Sequence, residues 1–321
     1  MHQIAAGLIG LCLIVGAPEV GAQAYPNKPI RLVLPFPPGG GTDTFGRITA
    51  DRMTERLGQQ VIITNIAGGS GTVGSDTVRR AEPDGYTLLF HASLFALGKH
   101  VLKSTPYDPI EDFTAIGRVG IAPLLVVASN QLEGTTLADA VKAARANPKG
   151  FNIAIPSLGA AGHLGTLEFR RVTKLDLQVI PYKGTAPGLA DVMGGSVQMM
   201  IDAMTALLPQ AKAGRVKGLA VTSPTRTKLA PDIPTTAEAG MPELDINSWY
   251  GVWGPKGLPP AITSRLVAAV AEAVKHPEFL QRIEAAGILP GYLEPAEFVT
   301  FMRADVDKAV GLLKGANFTP E

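Results

Sequence analysis

A short apolar run, a loop of prolines and glycines and a helical pattern follow one another near the start of the chain. Ile30–Leu34 predicts a strand, and residues 35–43 (PFPPGGGTD) form the loop, in which Thr42 and Asp43 predict a cap for the following helix. Glycines let backbone N–H groups approach a ligand closely, and the first turn of a helix offers unpaired donors and the positive end of its dipole. The arrangement therefore predicts an anion site. The loop contains no lysine, which excludes the Walker phosphate motif.

The first two dozen residues have the pattern of an export signal. Residues 4–15 are apolar but too short to span a bilayer comfortably, and the small residues Ala22 and Ala24 predict cleavage near either position. The only cysteine, Cys12, lies in this segment, and Leu11 before it argues against a lipid anchor. Cleavage would leave a mature chain without cysteine, which excludes a disulfide scaffold and a thiol nucleophile. We therefore expect residues 1–24 to be a signal peptide.

The composition of the 321-residue chain suits a protein of two domains and disfavours two classes of partner. The formal net charge is +1 and the lysines and arginines are spread along the sequence, which disfavours a nucleic-acid binder. No run after the signal segment is long and apolar enough to span a membrane. We expect neither nucleic acid binding nor direct membrane insertion.

Strand-like runs alternate with amphipathic helical patterns, which predicts an α/β fold of parallel sheets with helices on both faces. Further strands are predicted at residues 61–64, 87–90, 115–119, 124–128, 152–155, 177–180, 197–201 and 218–221. Near the end, one helix is predicted from residue 259 to about 287, and another over about 298–313. No flexible linker separates two domains, so we expect strands that cross between the sheets near 120–125 and 245–250.

Two later loops are similar to the first in composition. Residues 157–163 (SLGAAGH) follow the predicted strand at 152–155, residues 181–187 (PYKGTAP) follow the one at 177–180, and each loop precedes a helical pattern. In open α/β sheets, ligands bind outside the carboxyl ends of the strands. Glycine-rich loops of this kind on two lobes therefore predict a ligand site in the cleft between them.

The sequence favours neither a dinucleotide nor a metal ion. Residues 69–74 (GSGTVG) match the spacing of a dinucleotide-binding turn, but the next predicted strand ends at His91 and small residues instead of an acidic one. We interpret the turn as a helix cap near the rim of the cleft. His91 and His163 follow strands without a paired carboxylate motif, which disfavours a metal site. No cofactor is expected.

Ser157, His163 and Asp202 leave a secreted hydrolase with a catalytic triad as an alternative function, although loops of this composition more often use Ser and Gly for hydrogen bonding. Asp202 ends a predicted strand, where it either caps the next helix or accepts a hydrogen bond from a ligand or a bound water. Lys183, from its loop, could counter a ligand's charge. Three aromatic residues at the second crossing, Trp249, Tyr250 and Trp253, predict core or hinge packing.

Several motifs along the chain resemble those of the Bug receptor family, the extracytoplasmic solute receptors of tripartite tricarboxylate transporters. They run from the start of the mature chain toward its final helices, and they are specific in combination although each alone is weak. The motifs are YPxKPI at 25–30, PFxPGGxxD at 35–43, PDGYTLL at 83–89, DF at 112–113, PYKG at 181–184, GG at 194–195 and LAVT at 219–222.

The resemblance implies a two-lobed, type II periplasmic-binding-protein (Venus flytrap) fold, in which each lobe is an open sheet flanked by helices and the ligand lies in the interlobe cleft. We expect residues 25–121 and 248–321 to form lobe 1, and the inserted residues 122–247 to form lobe 2. The resemblance further implies a monomeric periplasmic receptor, not an enzyme, that delivers its ligand to the membrane subunits of a tripartite tricarboxylate-type transporter. A ligand-sensing receptor for a signalling partner is the alternative to transport.

The resemblance also implies how the ligand is held. A carboxylate would be bound mainly by backbone amides of the first loop and by bridging waters, and the usual ligands are di- and tricarboxylates, amino acids and nicotinate-like or other aromatic carboxylates. His91 replaces the small polar residues usual in the family, and we expect its bulk to reshape the far end of the pocket. The expected ligand-binding residues are Phe36, Pro38, Gly39, Gly40, Gly41, Thr42, Asp43, Ser93, Ser157, Gly159, Ala160, Gly162, His163, Gly184, Thr185 and Asp202.

Overall fold

The computed structural model describes residues 25–320, so the expected signal peptide, with Cys12, Ala22 and Ala24, lies outside the described residues. Two sheets share one long strand, β4. The first sheet has the order β2-β1-β3-β9-β4-β10 and the second the order β6-β5-β7-β4-β8. The strands are β1 Ile30–Leu34, β2 Val61–Asn65, β3 Thr87–Ala92, β4 Phe113–Ala128, β5 Asn152–Ile155, β6 Gln178–Pro181, β7 Met199–Ala203, β8 Lys217–Val221, β9 Asn247–Pro255 and β10 Leu289–Leu293.

Ten helices connect and cover these strands in the described part of the chain. They are α1 Gly41–Leu57, α2 Thr72–Arg79, α3 Leu94–Val101, α4 Leu137–Ala146, α5 Ala161–Thr173, α6 Thr185–Gly194, α7 Met204–Lys212, α8 Pro260–Ala273, α9 Pro277–Ala285 and α10 Pro295–Gly315. Within residues 25–320, no helix combines the length and the apolar character needed to cross a membrane.

Each sheet has its own group of packed helices. We call the first sheet with α1, α2, α8 and α9 the first lobe, and the second sheet with α4, α5, α6 and α7 the second lobe. Helices α3 and α10 contribute side chains to the cores of both lobes. Within the lobes, β1 is parallel to β2 and β3, and β5 is parallel to β6 and β7, as strands joined through helices must be. The predicted two-lobed α/β architecture is therefore present.

The strand β4 passes from one sheet to the other. Its first part pairs with β9 as far as Pro123, and from Leu124 onward it pairs with β7 and β8. The apolar pattern predicted two separate strands here, at 115–119 and 124–128, but these residues form a single strand. Pro123 has no N–H to donate to a ladder, which explains why the change of partner falls beside it.

Thr222 ties the crossing point to both neighbouring segments. Its buried Oγ1 accepts a hydrogen bond from the Leu124 N–H at 2.8 Å and donates to Asn247 Oδ1 at 3.1 Å. Its own N–H donates to the Leu124 carbonyl at 3.0 Å. One side chain therefore holds together β4, the segment after β8 and the start of β9.

In the C-terminal part, one expectation was wrong and one strand was not predicted. The helix predicted from residue 259 to about 287 is two helices, α8 and α9, because Pro277 cannot continue a helix and instead opens the next one. His276 caps α9, since its Nδ1 accepts a hydrogen bond from the Glu278 N–H. Strand β10, with two exposed residues, Leu289 and Pro290, at its start, had no clear sequence signal.

Replacing Thr222 tests the importance of the crossing. We expect Thr222→Val, which keeps the shape of the side chain but leaves the buried Leu124 N–H without its acceptor, to lower the free energy of unfolding by about 1–3 kcal/mol. Thr222→Ser keeps the hydroxyl and should lose about 1 kcal/mol or less, the contribution of one methyl group. Urea denaturation measures both; equal losses for the two variants would contradict this role of the hydroxyl.

Candidate functional site

A cavity of about 150 Å³ lies between the lobes, a size comparable to an engineered protein cavity that binds benzene. Loops at strand ends from both lobes form its wall, together with β9, which carries Ser248 and Tyr250. The lining residues are Phe36, Pro37, Pro38, Gly40, Gly41, Thr42, Ala92, Ser93, Leu94, Pro156, Ser157, Ala160, Ala161, Lys183, Gly184, Thr185, Ala186, Pro187, Asp202, Ala203, Ser248 and Tyr250.

Five helices begin at this cavity. The first residues or N-caps of α1, α3, α5, α6 and α7 all belong to its lining. The first turn of each helix contains N–H groups without intrahelical acceptors, and none of these five N-caps has a side-chain hydrogen bond to the helix. Their partial positive charges add at one place, which favours a negatively charged occupant.

The first glycine loop is held from behind by Asp43. The Asp43 carboxylate accepts hydrogen bonds from the Gly39 N–H at 3.1 Å and from Asn65 Nδ2 at 3.0 Å, and it forms a two-pronged ion pair with Arg47 at 2.9–3.0 Å. Asn65 Nδ2 also donates to the Phe36 carbonyl at 3.0 Å. Asp43 and Asn65 thus fix both ends of the loop and leave its middle facing the cavity.

The cap of α1 differs from the sequence-based expectation. Gly40 is the N-cap and has no side chain, whereas Thr42 and Asp43 lie inside the first turn. Burial raises the pKa of Asp43, but the hydrogen bonds from Arg47, Gly39 and Asn65 outweigh burial and hold that pKa below its usual value. Asp43 is therefore ionised and neutralised by its partners, although it lies next to a site suited to anions.

Gly41 allows the two lobes to meet. A β-carbon placed there would lie 2.6 Å from Thr205 Oγ1 and 2.9 Å from the Tyr250 hydroxyl. Thr205 belongs to α7 of the second lobe, so the N-termini of α1 and α7 approach each other across the cleft. The glycine is needed at this position for close approach, since both neighbours are closer than a β-carbon tolerates.

The structure brings most of the predicted ligand-binding residues together. Those that line the cavity are Phe36, Pro38, Gly40, Gly41, Thr42, Ser93, Ser157, Ala160, Gly184, Thr185 and Asp202. Those that do not belong to the lining are Gly39, Asp43, Gly159, Gly162 and His163. Whether any of them contacts a ligand stays a prediction.

The residues of the second group have local structural roles. Gly39 and Gly159 have positive φ angles of 89° and 73°, which favour glycine in these turns. A β-carbon on Gly162 would lie 2.2 Å from the Ile201 carbonyl oxygen, so this glycine lets α5 pack on β7. His163 is 3% exposed, and its Nδ1 accepts a hydrogen bond from the Gly159 N–H at 3.0 Å. That bond places the imidazole proton on Nε2.

The hydrolase arrangement is not formed by these side chains. His163 Nδ1 is engaged with the Gly159 N–H, and the His163 ring packs against Phe318. Asp202 accepts from Thr185 Oγ1 at 2.6 Å and from the Ala203 N–H at 2.7 Å. Burial lowers the pKa of His163 to about 4, so the imidazole is neutral at physiological pH. In residues 25–320, no group of three metal-ligating side chains is present either.

Two charged side chains belong to the cavity lining, Asp202 and Lys183. Lys183 is exposed, so water screens its charge. Asp202 is 7% exposed, and burial raises its pKa to about 6 in spite of the bonds from Thr185 and Ala203. Tyr250 is also buried, and both burial and the nearby Asp202 charge raise its pKa, so the phenol stays neutral.

His91 lies one layer behind the cavity. Its ring is fully buried and contacts Phe36 edge-on, with 5.3 Å between ring centroids, so Phe36, which belongs to the lining, separates it from the cavity. Its Nδ1 lies 2.9 Å from the Ala92 carbonyl and therefore donates to it. Burial lowers the pKa of His91 to about 3. The expected reshaping of the pocket would have to act through Phe36.

Sequence reasoning missed several lining residues, among them Ser248 and Tyr250. The cluster of Tyr250 with Trp249 and Trp253 predicted core or hinge packing. Both tryptophans are indeed buried, but alternate residues of a strand face opposite sides, and 248 and 250 face the cavity. This two-residue periodicity was the available signal. The remaining missed residues, such as Pro37, Pro156 and Ala203, adjoin predicted ones.

Comparison with known proteins identifies the family. A sequence model described as the tripartite tricarboxylate transporter family receptor (TctC) matches residues 45–318. The chain belongs to this receptor family. Protein BugT of Bordetella pertussis is 34% identical over 300 residues, a match that covers 93% of this chain and 92% of BugT. The predicted Bug resemblance is confirmed, and because the family consists of periplasmic receptors, the hydrolase alternative is set aside.

Solved structures agree with this TctC assignment. The periplasmic binding protein BugD is 32% identical and superposes with a TM-score of 0.86, covering 92% of this chain and 100% of BugD. Rpa4515 of R. palustris, solved with adipate, is 32% identical with a TM-score of 0.88, covering 92% of this chain and 100% of Rpa4515. The two-lobed periplasmic-binding-protein fold is therefore confirmed.

Neutralising Asp43 should loosen the first loop. We expect Asp43→Asn to lower the free energy of unfolding by about 1–3 kcal/mol at pH 7, because the Gly39 N–H and the Arg47 guanidinium lose a charged acceptor. The pKa of Asp43 lies below its usual value, so its stabilising effect is present above about pH 4 and lost as the pH falls through the folded-state pKa. The difference in the free energy of unfolding between Asp43→Asn and the wild type should therefore shrink as the pH falls.

The matched control for this experiment is Asp51→Asn on the exposed side of the same helix. Asp51 forms a surface ion pair with Arg282, and such pairs contribute about 0–1 kcal/mol. Denaturant titrations between pH 3 and 7 follow both variants on one scale. A loss for Asp43→Asn no greater than that of the control would show that Asp43 does not hold the loop.

Proposed function

We propose that this TctC-family protein binds a small carboxylate in the interlobe cavity, mainly through backbone amides of its glycine-rich loops, and delivers it to the membrane subunits of a tripartite tricarboxylate-type transporter. The ligand class comprises di- or tricarboxylates, amino acids and aromatic carboxylates. The observation that carries the proposal is the convergence of five helix N-termini on one cavity whose lining includes a single, exposed cation.

The energetics of such a site are sufficient for a receptor. Hydrogen bonds to a charged group contribute about 1.5–3 kcal/mol each, and a helix terminus adds about 0.3–1 kcal/mol, or up to about 2 when partly buried. Association costs about 4–15 kcal/mol in lost translational and rotational freedom. A few amide donors can therefore reach micromolar affinity, about −8 kcal/mol, without a charged partner.

The lining also favours a ligand with a carbon skeleton. Apolar side chains of Phe36, Pro38, Leu94 and Pro156 share the wall with hydroxyl groups, so a molecule with apolar and ionic parts would meet matching surfaces. The presence of adipate in Rpa4515, a relative covered along its whole length, supports a carboxylate of this size.

The proposal also covers how the protein is exported and how its lobes move on ligand binding. Residues 1–24 would act as a cleaved signal peptide, and the mature chain would work in the periplasm as a monomer. The lobes, with proposed boundaries at 121/122 and 247/248, would close around the ligand, exclude water and so strengthen the same contacts. The closed form would be the one that the membrane subunits recognise.

A thermal-shift screen tests the ligand class. Carboxylates such as adipate, malate, citrate and benzoate are compared with the neutral adipamide and benzamide and with neutral sugars. A true ligand at about a hundred times its Kd should stabilise the protein by about 2.7 kcal/mol. We expect hits among the carboxylates and none among the neutral compounds. Stabilisation by sugars with no response to any carboxylate would refute the proposed ligand class.

Filling the cavity from Gly40 tests its location. A β-carbon on Gly40 meets no atom within 4 Å, and its φ of −85° suits any residue, so Gly40→Val should fold normally and place its side chain in the cavity. We expect loss of at least about a hundredfold in affinity, about 2.7 kcal/mol, with an unchanged melting temperature of the free protein.

Gly40→Ala provides the graded comparison, since its smaller side chain should cost less affinity than valine. Gly311→Ala, at an exposed helix position where a β-carbon also meets no atom within 4 Å, is the control away from the cavity. Isothermal titration with the best ligand of the screen compares the three. Wild-type affinity in Gly40→Val would place the ligand elsewhere.

A further inference from the structure

Among the described residues, Asp202 supplies the one carboxyl group in the cavity lining. It lies at the end of β7, immediately before α7, with 7% of its surface exposed. Its Oδ2 accepts from Thr185 Oγ1 at 2.6 Å and its Oδ1 accepts from the Ala203 N–H at 2.7 Å. Neither donor carries a formal charge, and among residues 25–320 no lysine or arginine nitrogen lies within 4 Å of this carboxyl group.

An anion entering the cavity would therefore meet a second, buried carboxyl group. Two carboxylates held close together in a small cavity do not readily both stay ionised, because each raises the pKa of the other. A proton shared between them turns the repulsion into a hydrogen bond between an acid and a carboxylate, which is among the stronger kinds. The proton comes from bulk water, to which the cavity opens.

We propose that this protein takes up about one proton together with its carboxylate ligand, and that Asp202 is the group that holds or shares it. The inference rests on the proposed function, since it needs a carboxylate in this cavity. It makes the affinity of the receptor dependent on pH in a range where the ligand itself no longer titrates.

The direction of the effect follows from the free protein. Burial places the pKa of Asp202 at about 6, so above that pH the group is mostly ionised before binding. A bound anion raises the pKa further, so binding takes up a proton between the free and the bound pKa values. Over that interval the affinity falls by up to about tenfold for each unit of rising pH, because one proton is linked to one ligand. Below about pH 6, Asp202 is already protonated and the effect of pH on it ends.

The other ionisable groups on the elements around the cavity either have pKa values outside this pH interval or already have hydrogen-bond or ion-pair partners, apart from the exposed Lys183. His163 on α5 and His91 on β3 have pKa values lowered by burial to about 4 and about 3, and the pKa of Tyr250 on β9 is raised by burial. Asp43 on α1 is held ionised by Arg47, Gly39 and Asn65, and Tyr182 before α6 donates to Asp191. Lys183 is exposed, so water screens its charge.

Titration calorimetry tests the proposal on the mature chain. Adipate, malate and benzoate are used as probes between about pH 6.5 and 8.5, above the pKa range of ordinary carboxyl groups. Each titration is run in two buffers with different heats of ionisation, so that the number of protons taken up is measured directly. We expect uptake approaching one proton and a Kd that rises with pH in the wild type.

Asp202→Asn and Asp191→Asn are the matched variants. Asp202→Asn replaces the carboxyl group by a neutral amide and should bind the same probe with no proton uptake and a Kd that is constant over the pH range. Asp191→Asn removes a carboxyl group of α6 outside the cavity and should keep the wild-type uptake and pH dependence.

The calorimetric results that would contradict this inference can be told apart from those that would contradict the proposed function. Binding by the wild type without proton uptake would overturn the role of Asp202 while leaving the receptor function intact. Proton uptake that persists in Asp202→Asn would assign the proton to another group and overturn the proposal as well. No binding of any probe by the wild type would refute the proposed function and with it this inference. If Asp202→Asn does not fold, the uptake measured on the wild type still decides whether binding is proton-linked.

Discussion

The continuous strand β4 is the constraint on which the architecture depends. Most of its apolar residues are buried in the two sheets, and beyond Pro123 the same strand exchanges β9 for β7 and β8 as partners. Because one strand belongs to both sheets, the strand ends of the two lobes are fixed on either side of a common gap. The five helices that begin there point their N-termini into it, so the character of the cavity follows from the topology more than from any single side chain.

The helix N-termini around the cavity have consequences for the selectivity and solvation of the proposed carboxylate ligand. Fixed N–H groups can replace the water around a negatively charged ligand without a matching cation, and they are already oriented before the ligand arrives. Asp43 supports this site without facing the cavity, since its charge is balanced by the ion pair with Arg47 and by the hydrogen bond from the Gly39 N–H. Asp202 is the exception, a carboxyl group that does face the cavity and has only uncharged donors as partners.

Much of this arrangement could be predicted from local sequence. The strand, glycine loop and helix at 30–57 follow from apolar pattern, turn residues and spacing, and the family motifs led to the two-lobed fold. Other features depended on contacts between distant segments. Asp43 was predicted to cap α1. It instead accepts a hydrogen bond from Asn65 at the end of β2, a contact between segments that are distant in sequence. His163 looked like a cleft residue, and only the packing of Phe318 and the turn at Gly159 shows why it is buried. Pairing of β10 with β4 had no local signal at all.

Helix α10 crosses from one lobe to the other and bears on how far they can separate. Phe298 and Met302 pack into the core around Trp253 in the first lobe, while Ala309 and Leu313 pack into the core around Leu124 and Phe169 in the second. Because α10 has buried side chains in both cores, a wide separation of the lobes would expose the side chains of one end of the helix to water. The final helix therefore couples the two lobes through buried apolar contacts, and any opening between them would have to displace one of its two sets of core side chains.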